Sequence, residues 1–435
     1  MGYFDELPTE ITDLVRWAEM RYEQGALRGR VGADVSRLVR QARALKRKLE
    51  HAAPPPALLK TEPDDLAAIR DARPRGPRRL WERFDPKAYR ERLRGAWLAR
   101  CAGCTLGAIV EQWPVVAMER MADHCRIDFP PTDYWPVAAG PHSRRYGFSR
   151  CRDYTRDGIR HVPVDDDLVY TVLGLLILED HGPAFTTADV GRAWLKYLPM
   201  ACTAEKVALE NLRAGVSWRR TGTQGNPYQE WIGADIRSDP WGYAAPGWPE
   251  RAAEMAWRDA YLSHRQNGIF GEMYFSATIA AAFAVDSPVE ACRIGLSEIP
   301  RRSRLHKDVT WALRTAPKLK GWRHARELVD KRFPGMHAAH TLNNACATIF
   351  GLALGKGDVT RTLGITVAMG LDNDCTAATA GSIVGAVAGA RGVPEHWWKP
   401  FRGKVRTYLN GHEWFTIARL ERRFARAARA VWSSP

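Results

Sequence analysis

The chain has 435 residues, 45% of them hydrophobic and 26% charged, which is enough apolar content for a large core and argues against wholesale disorder. Its 64 lysines and arginines against 49 acids give a net charge of +15, which invites a nucleic-acid or phosphate-bearing partner. No leader-like apolar run opens the sequence, and no stretch is long and apolar enough for a membrane span, so the expected location is cytoplasmic. The eight cysteines are scattered and are expected to be reduced thiols. Cys101-Ala-Gly-Cys104 has no second pair and lies in an apolar segment, so core packing outweighs a zinc or redox role.

In chain order, residues 6 to 50 predict helix, with Leu7, Ile11, Leu14, Val15 and then Val35, Leu38, Val39, Leu45 at three- and four-residue spacing. Gly25 and Gly29 separate the two stretches, and Pro54-Pro55-Pro56 ends them. A Pro- and Arg-rich linker follows, which sets the expected domains at 1–84 and 85–435. Helices are predicted over Tyr89 to Gly107, Leu168 to Glu179, Ala188 to Tyr197, Glu272 to Val285, Pro288 to Glu298, His340 to Leu354 and Ala377 to Ala390. Strand-type alternation is nearly absent, so the expected fold class is all-α. Ser217 to Gln266, punctuated by tryptophans and prolines, reads as a long functional loop.

Two acidic constellations carry the chemistry. Asp165-Asp166-Asp167 directly precedes an apolar helix. One carboxylate suffices to cap that helix, whereas three adjacent ones repel and call for a positive charge, such as a hard cation. Asp372-Asn373-Asp374-Cys375 follows Gly370 and precedes a helix with Gly381, Gly385 and Gly389 at every fourth position. Asp372 and Asp374 can converge on one ion only from a turn, which Gly370 permits. The five carboxylates, with Thr376 and Thr379, suit Mg²⁺ or Mn²⁺ and suit zinc badly, because no histidine cluster accompanies them. Capping and a solvated turn remain the alternatives.

The segment from Gly95 to Glu111, with small residues, Leu106-Gly107 and then a glutamate, resembles the opening motif of the ADP-ribosylglycohydrolase family. The acidic run resembles that family's Thr-Asp-Asp motif, and Asp372 to Cys375 resembles its late Asp-x-Asp-Thr motif; the three occur in the family's order. The resemblance implies an all-α orthogonal multi-helix bundle behind an N-terminal helical extension. It further implies a binuclear Mg²⁺ or Mn²⁺ site and hydrolysis of the glycosidic bond at the anomeric carbon of ADP-ribose. By position it implies Asp165, Asp166, Asp167, Asp372, Asp374 and Thr376 as metal ligands, and Glu111, Asp166 and Asp374 as catalytic residues. Two positions depart from the pattern: Asp165 and Cys375 stand where the family has threonines.

Asn267, Gly268 and Gly271 resemble the family's glycine-rich segment near the substrate phosphates, and glycines at a helix start do let backbone N–H groups approach a pyrophosphate. Tyr228, Trp231 and Trp241 offer stacking surfaces in the aromatic stretch before it. His340, Asn343 and Asn344 begin another helix and could face the site, although capping and packing are favoured. The leading functional reading is release of ADP-ribose from a protein or other acceptor. The alternatives are an N-glycosidase acting on an NAD-derived or nucleoside metabolite, and a non-catalytic ADP-ribose-binding protein. Of the +15, +11 lies in residues 60–100 and 401–435, flanking a site whose own chemistry is acidic, so nucleic acid is not favoured. The sequence leaves the oligomeric state open.

Overall fold

A computed structural model describes residues 2–4, 6–25, 28–138, 140 and 142–434. Those residues form 21 α-helices and two small two-stranded antiparallel ribbons. The all-α expectation therefore holds. The chain divides into two compact units, Met1–Lys60 with Lys331–His337, and Thr61–Asp330 with Ala338–Pro435. The division falls earlier than the 84/85 boundary expected from composition, because the linker is tied into the larger unit. Glu62 pairs with Arg304 at 2.9 Å, and Arg73 and Arg78 both hold the buried Glu298 at 2.6 Å.

The smaller unit contains α1 (Glu6–Glu23) and α2 (Arg28–Glu50), both of which lie within the predicted helical stretch. In the larger unit, α3 (Pro86–Gly107) starts where Asp85 accepts from the N–H groups of Lys87 and Ala88, with Pro86 in the first turn. α4 (Asp166–His181) has every residue from Asp167 to Leu178 buried, which explains its unbroken apolar sequence.

The stretch from 217 to 266 is not a loop throughout, as its prolines suggested. It contains α5 (Pro249–Ala260), in which Pro249 occupies the first turn, the helical position that needs no N–H. α6 (Asn267–Ala282), α7 (Thr341–Gly355) and α8 (Val359–Ala368) pack against α9 (Asn373–Ala388), which in turn packs on α3, and α10 (Ile417–Ser433) closes the chain. No single helix among the described residues is long and apolar enough to cross a membrane.

The contact that fixes the site is α3 against α9. A Cβ on Gly385 would lie 2.3 Å from the carbonyl oxygen of Gly95, and one on Gly381 2.4 Å from that of Ala99. Farther along, a Cβ on Gly107 would lie 2.5 Å from Cα of Asp374. Small residues thus let the two backbones touch and hold Asp374 against the end of α3.

Candidate active site

At the end of α3 the chain leaves the helix through Glu111. On the facing side, Gly370 and Leu371, both at left-handed φ (+68° and +66°), form the turn that delivers Asp372 and Asp374. Asp165, with its side chain accepting from Asp167 N, starts α4 beside them. These three segments bring six carboxylates together. One ligand atom each from Glu111, Asp372 and Asp374 lies within 4.8 Å of the others, and the same holds for Asp167, Asp374 and Cys375, and for Cys104, Asp165 and Asp167. Asp165, Asp167, Asp372 and Asp374 are buried, while the Glu111 side chain is 32% exposed.

Two guanidinium groups answer these charges. Arg145 lies on the short ribbon formed by β1 (Arg144–Arg145) and β2 (Ser149–Arg150). It reaches Glu111 at 2.8 Å, Asp165 at 3.0 Å and Asp374 at 2.9 Å. Arg100, from α3, donates to the Asp167 carbonyl at 2.7 Å and spends its other end on Asp239, also at 2.7 Å. Tyr146 donates to Asp166 at 2.8 Å, the Cys375 thiol donates to Asp167 at 3.2 Å, and Asp372 N donates to the Asn344 side chain at 3.2 Å.

The balance remains strongly negative. One oxygen of each of Asp167, Asp372 and Asp374, together with the Thr376 hydroxyl, is buried without a hydrogen-bond partner. Such atoms are costly unless something positive reaches them. Burial pushes the carboxyls of Asp165, Asp166, Asp167 and Asp372 up, reinforced by mutual repulsion. The charge of Asp374, then burial, raises Glu111. Oxygen donors without a histidine fit a hard divalent cation. The thiols fit one badly, because burial and the same acids hold Cys104 and Cys375 well above the usual thiol range.

A cavity of about 270 Å³ opens over the acids, walled by Trp231, Ile232, Ile236, Tyr146, Cys202 and Glu205. The model of the family described as ADP-ribosylglycohydrolase matches residues 85–430. The chain belongs to the ADP-ribosylglycohydrolase family. Membership makes it a hydrolase of glycosidic bonds. A solved structure titled "ADP-ribosylglycohydrolase-related protein complex" is 19% identical to it, with a TM-score of 0.49, over 80% of this chain and 98% of that one. No curated protein matches the chain.

Of the site residues expected from the ADP-ribosylglycohydrolase motifs, Glu111, Asp166, Asp372 and Asp374 face the cavity, as does Trp231. The proposed phosphate segment is elsewhere. Asn267 is buried, donating to Glu62 at 2.8 Å and Glu230 at 3.2 Å. A Cβ on Gly268 would meet the Gln229 carbonyl oxygen at 2.2 Å, and one on Gly271 would meet Asp235 at 1.9 Å. Those glycines are buried and closely packed, and neither lines the cavity. Trp241 is 1% exposed, donates to Glu272 at 2.8 Å and stacks on Phe185, so it is a core residue. Tyr228 packs edge-on against Trp231 and does not line the cavity.

Reading the sequence missed Arg145, Tyr146, Cys202 and Glu205. Asn344, for which facing the site is the lesser alternative to capping and packing on sequence alone, accepts from the backbone N–H of Asp372 at 3.2 Å.

Proposed function

We propose that this ADP-ribosylglycohydrolase family member cleaves the anomeric glycosidic bond of ADP-ribose from a protein or other acceptor, and that it needs Mg²⁺ or Mn²⁺ to do so. The observation that supports the reading is that Asp372 and Asp374, which line the cavity and have Glu111 close to both, each keep one buried oxygen without a hydrogen-bond partner. Asp372 and Asp374, with Asp166 and Asp167, would hold the ion. When bound, the cation supplies positive charge for the vicinal ribose hydroxyls and lowers the pKa of water.

The chain's own residues do the rest. Glu111 stands at the cavity edge, raised by Asp374 and then by burial, where it would protonate the leaving group and afterwards take a proton from the attacking water. Tyr146 fixes the rotamer of Asp166, and Asn344 fixes the turn carrying Asp372. Trp231 and Ile232 give the cavity an apolar wall that excludes water from one face of the sugar.

Asp165 adds a charge where the family has a threonine, and Arg145 lies 3.0 Å from it. That pairing supports one divalent ion beside a guanidinium, in place of the second ion that the family resemblance implies. The test is release of free ADP-ribose from ADP-ribosylated protein, expected with Mg²⁺ or Mn²⁺ and abolished by chelation. Tight, metal-dependent ADP-ribose binding with no release would make the protein a reader instead.

A further inference from the structure

We infer that the helical hairpin of α1 and α2 is a dimerisation module whose occupant is the same hairpin of a second copy of this chain. The argument starts from the register of its apolar residues. On α2, Val31, Val35, Leu38, Ala42, Leu45 and Leu49 alternate four- and three-residue steps without a break over nearly three heptads. On α1, Leu7, Ile11, Leu14 and Ala18 follow the same alternation. This is the a/d seam of a coiled-coil-type bundle. Each helix also carries valine at the next position round, Val15 and Val39, which widens the stripe to three positions in seven. A two-stranded coil needs only the a/d seam, whereas a helix contacting two neighbours in a bundle needs the wider face.

The wide face is not covered. No residue of α1 is buried, and eleven large apolar side chains on the two helices are each between 40% and 65% exposed. An open groove of about 620 Å³ runs between the helices, lined by Ile11, Leu14, Val15, Val35, Leu38 and Val39 among others. Monomeric proteins rarely leave so continuous an apolar stripe bare.

Charge selects the occupant. α1 has five acids and two bases, a net −3, whereas α2 has eight bases and two acids, a net +6. The ion pairs described for these helices lie within a single helix: Arg16 with Glu19, Arg37 with Asp34, and Lys46 with Glu50. The opposite charges of the two helices are therefore available to a partner. In a two-fold arrangement the acidic α1 of one protomer lies beside the basic α2 of the other, and the same patch serves both chains, as an isologous interface requires. The result is a four-helix bundle.

Sedimentation equilibrium of the full chain, from about 1 to 50 µM, measures the assembly. The expected mass is twice the 48.9 kDa of one chain. Leu14→Ala with Leu38→Ala keeps helix-favouring residues while removing contacts from the face, and is expected to weaken the dimer at least tenfold with the circular dichroism unchanged. Raising salt from 0.05 to 0.5 M is expected to weaken the wild-type dimer further, since the helix charges select the pairing. A monomeric wild-type chain across that range overturns the proposal, as does a dimer that survives the double substitution. A monomer that instead binds anionic lipid vesicles through this face would overturn it in favour of a membrane partner.

Discussion

The larger unit buries two clusters of acids around arginine, and they resolve the same electrostatic difficulty in opposite ways. In the first, Arg237 is 1% exposed and holds Glu205, Asp259 at 2.6 Å and Glu272 at 3.2 Å, while Trp241 donates to Glu272 and the Trp194 ring lies 5.2 Å from the guanidinium. Burial raises Glu272 well above the ordinary carboxylate range and pushes Glu205 up to about 7, as it raises the acids of the second cluster, so hydrogen-bond donors and not protons separate the two. In the second, around Asp165–Asp167 and Asp372–Asp374, carboxylate oxygens stay without partners near an open cavity. Burial of acids therefore does not by itself mark a site. Acids that the protein leaves short of donors, beside space for a ligand, do.

The sharpest way to break this distinction is Asp374→Asn. Loss of a charged ligand is expected to lower kcat on the order of 10⁴-fold, about 5.5 kcal/mol on the barrier, with apo stability unchanged or raised because a repelling charge is gone. Steady-state ADP-ribose release and thermal unfolding without metal check the two halves. If turnover survives, the second cluster is as structural as the first. Arg237→Leu is expected to do the reverse, destabilising the fold by about 3–5 kcal/mol because it strands Asp259 and Glu272 as buried unpaired acids. Urea unfolding reads it; a loss under 1 kcal/mol would mean that protons, and not Arg237, carry that cluster.

Glu205 joins the two, since it pairs with Arg237 and also lines the cavity. Its folded pKa, about 7, lies above the ordinary 4.5, so the folded state holds the extra proton. Stability from this group is fully present below pH 4.5 and is lost as pH rises to 7. Glu205→Gln is accordingly expected to gain about 2 kcal/mol relative to the native chain between pH 5.5 and 8.5. Parallel unfolding curves for the two proteins across that range would place its pKa near the ordinary value.

The sequence made α3, α4, α9 and the two acid runs legible for a physical reason. Continuous apolar or small-residue periodicity marks helices buried on every side, and acids set into such a background stand out. Arg145 had no comparable signal. It sits on a ribbon with two residues per strand, too short for any alternation to show, and its partners lie 20 to 229 residues away. Glu205, on an amphipathic helix, reads as an ordinary surface acid until tertiary packing puts Arg237 beside it. The glycines at 268 and 271 could not be placed from sequence, because close packing and phosphate binding favour the same residue, and the fold puts Gln229 and Asp235 against them. Pro249 was read as a breaker although it opens a helix.

Arg145 sharpens the comparison most finely, because it is where the second cluster imitates the first. Its fork reaches Asp165 and Asp374 with one nitrogen, and Glu111 and the Ala108 carbonyl with the other, so it ties the segment carrying Glu111 to both acid runs. Two effects then oppose each other in Arg145→Gln. The apo protein loses the charge that offsets Asp165, which lowers its melting temperature. A divalent ion gains the oxygens that the guanidinium held and no longer meets a positive neighbour. With about 1.4 kcal/mol separating each factor of ten, even a modest relief of repulsion gives roughly tenfold tighter Mn²⁺ binding. Calorimetric titration with Mn²⁺ is expected to give one ion per chain in the native protein and two in Arg145→Gln. The thermal shift on adding metal should also be larger in the variant. Arg145→Lys retains charge without the planar fork and is expected to fall between them. Weaker Mn²⁺ binding in Arg145→Gln, restored by lysine, would reverse the assignment: the guanidinium would then organise the acids for the ion, and the second cluster would differ from the first only in being open to solvent.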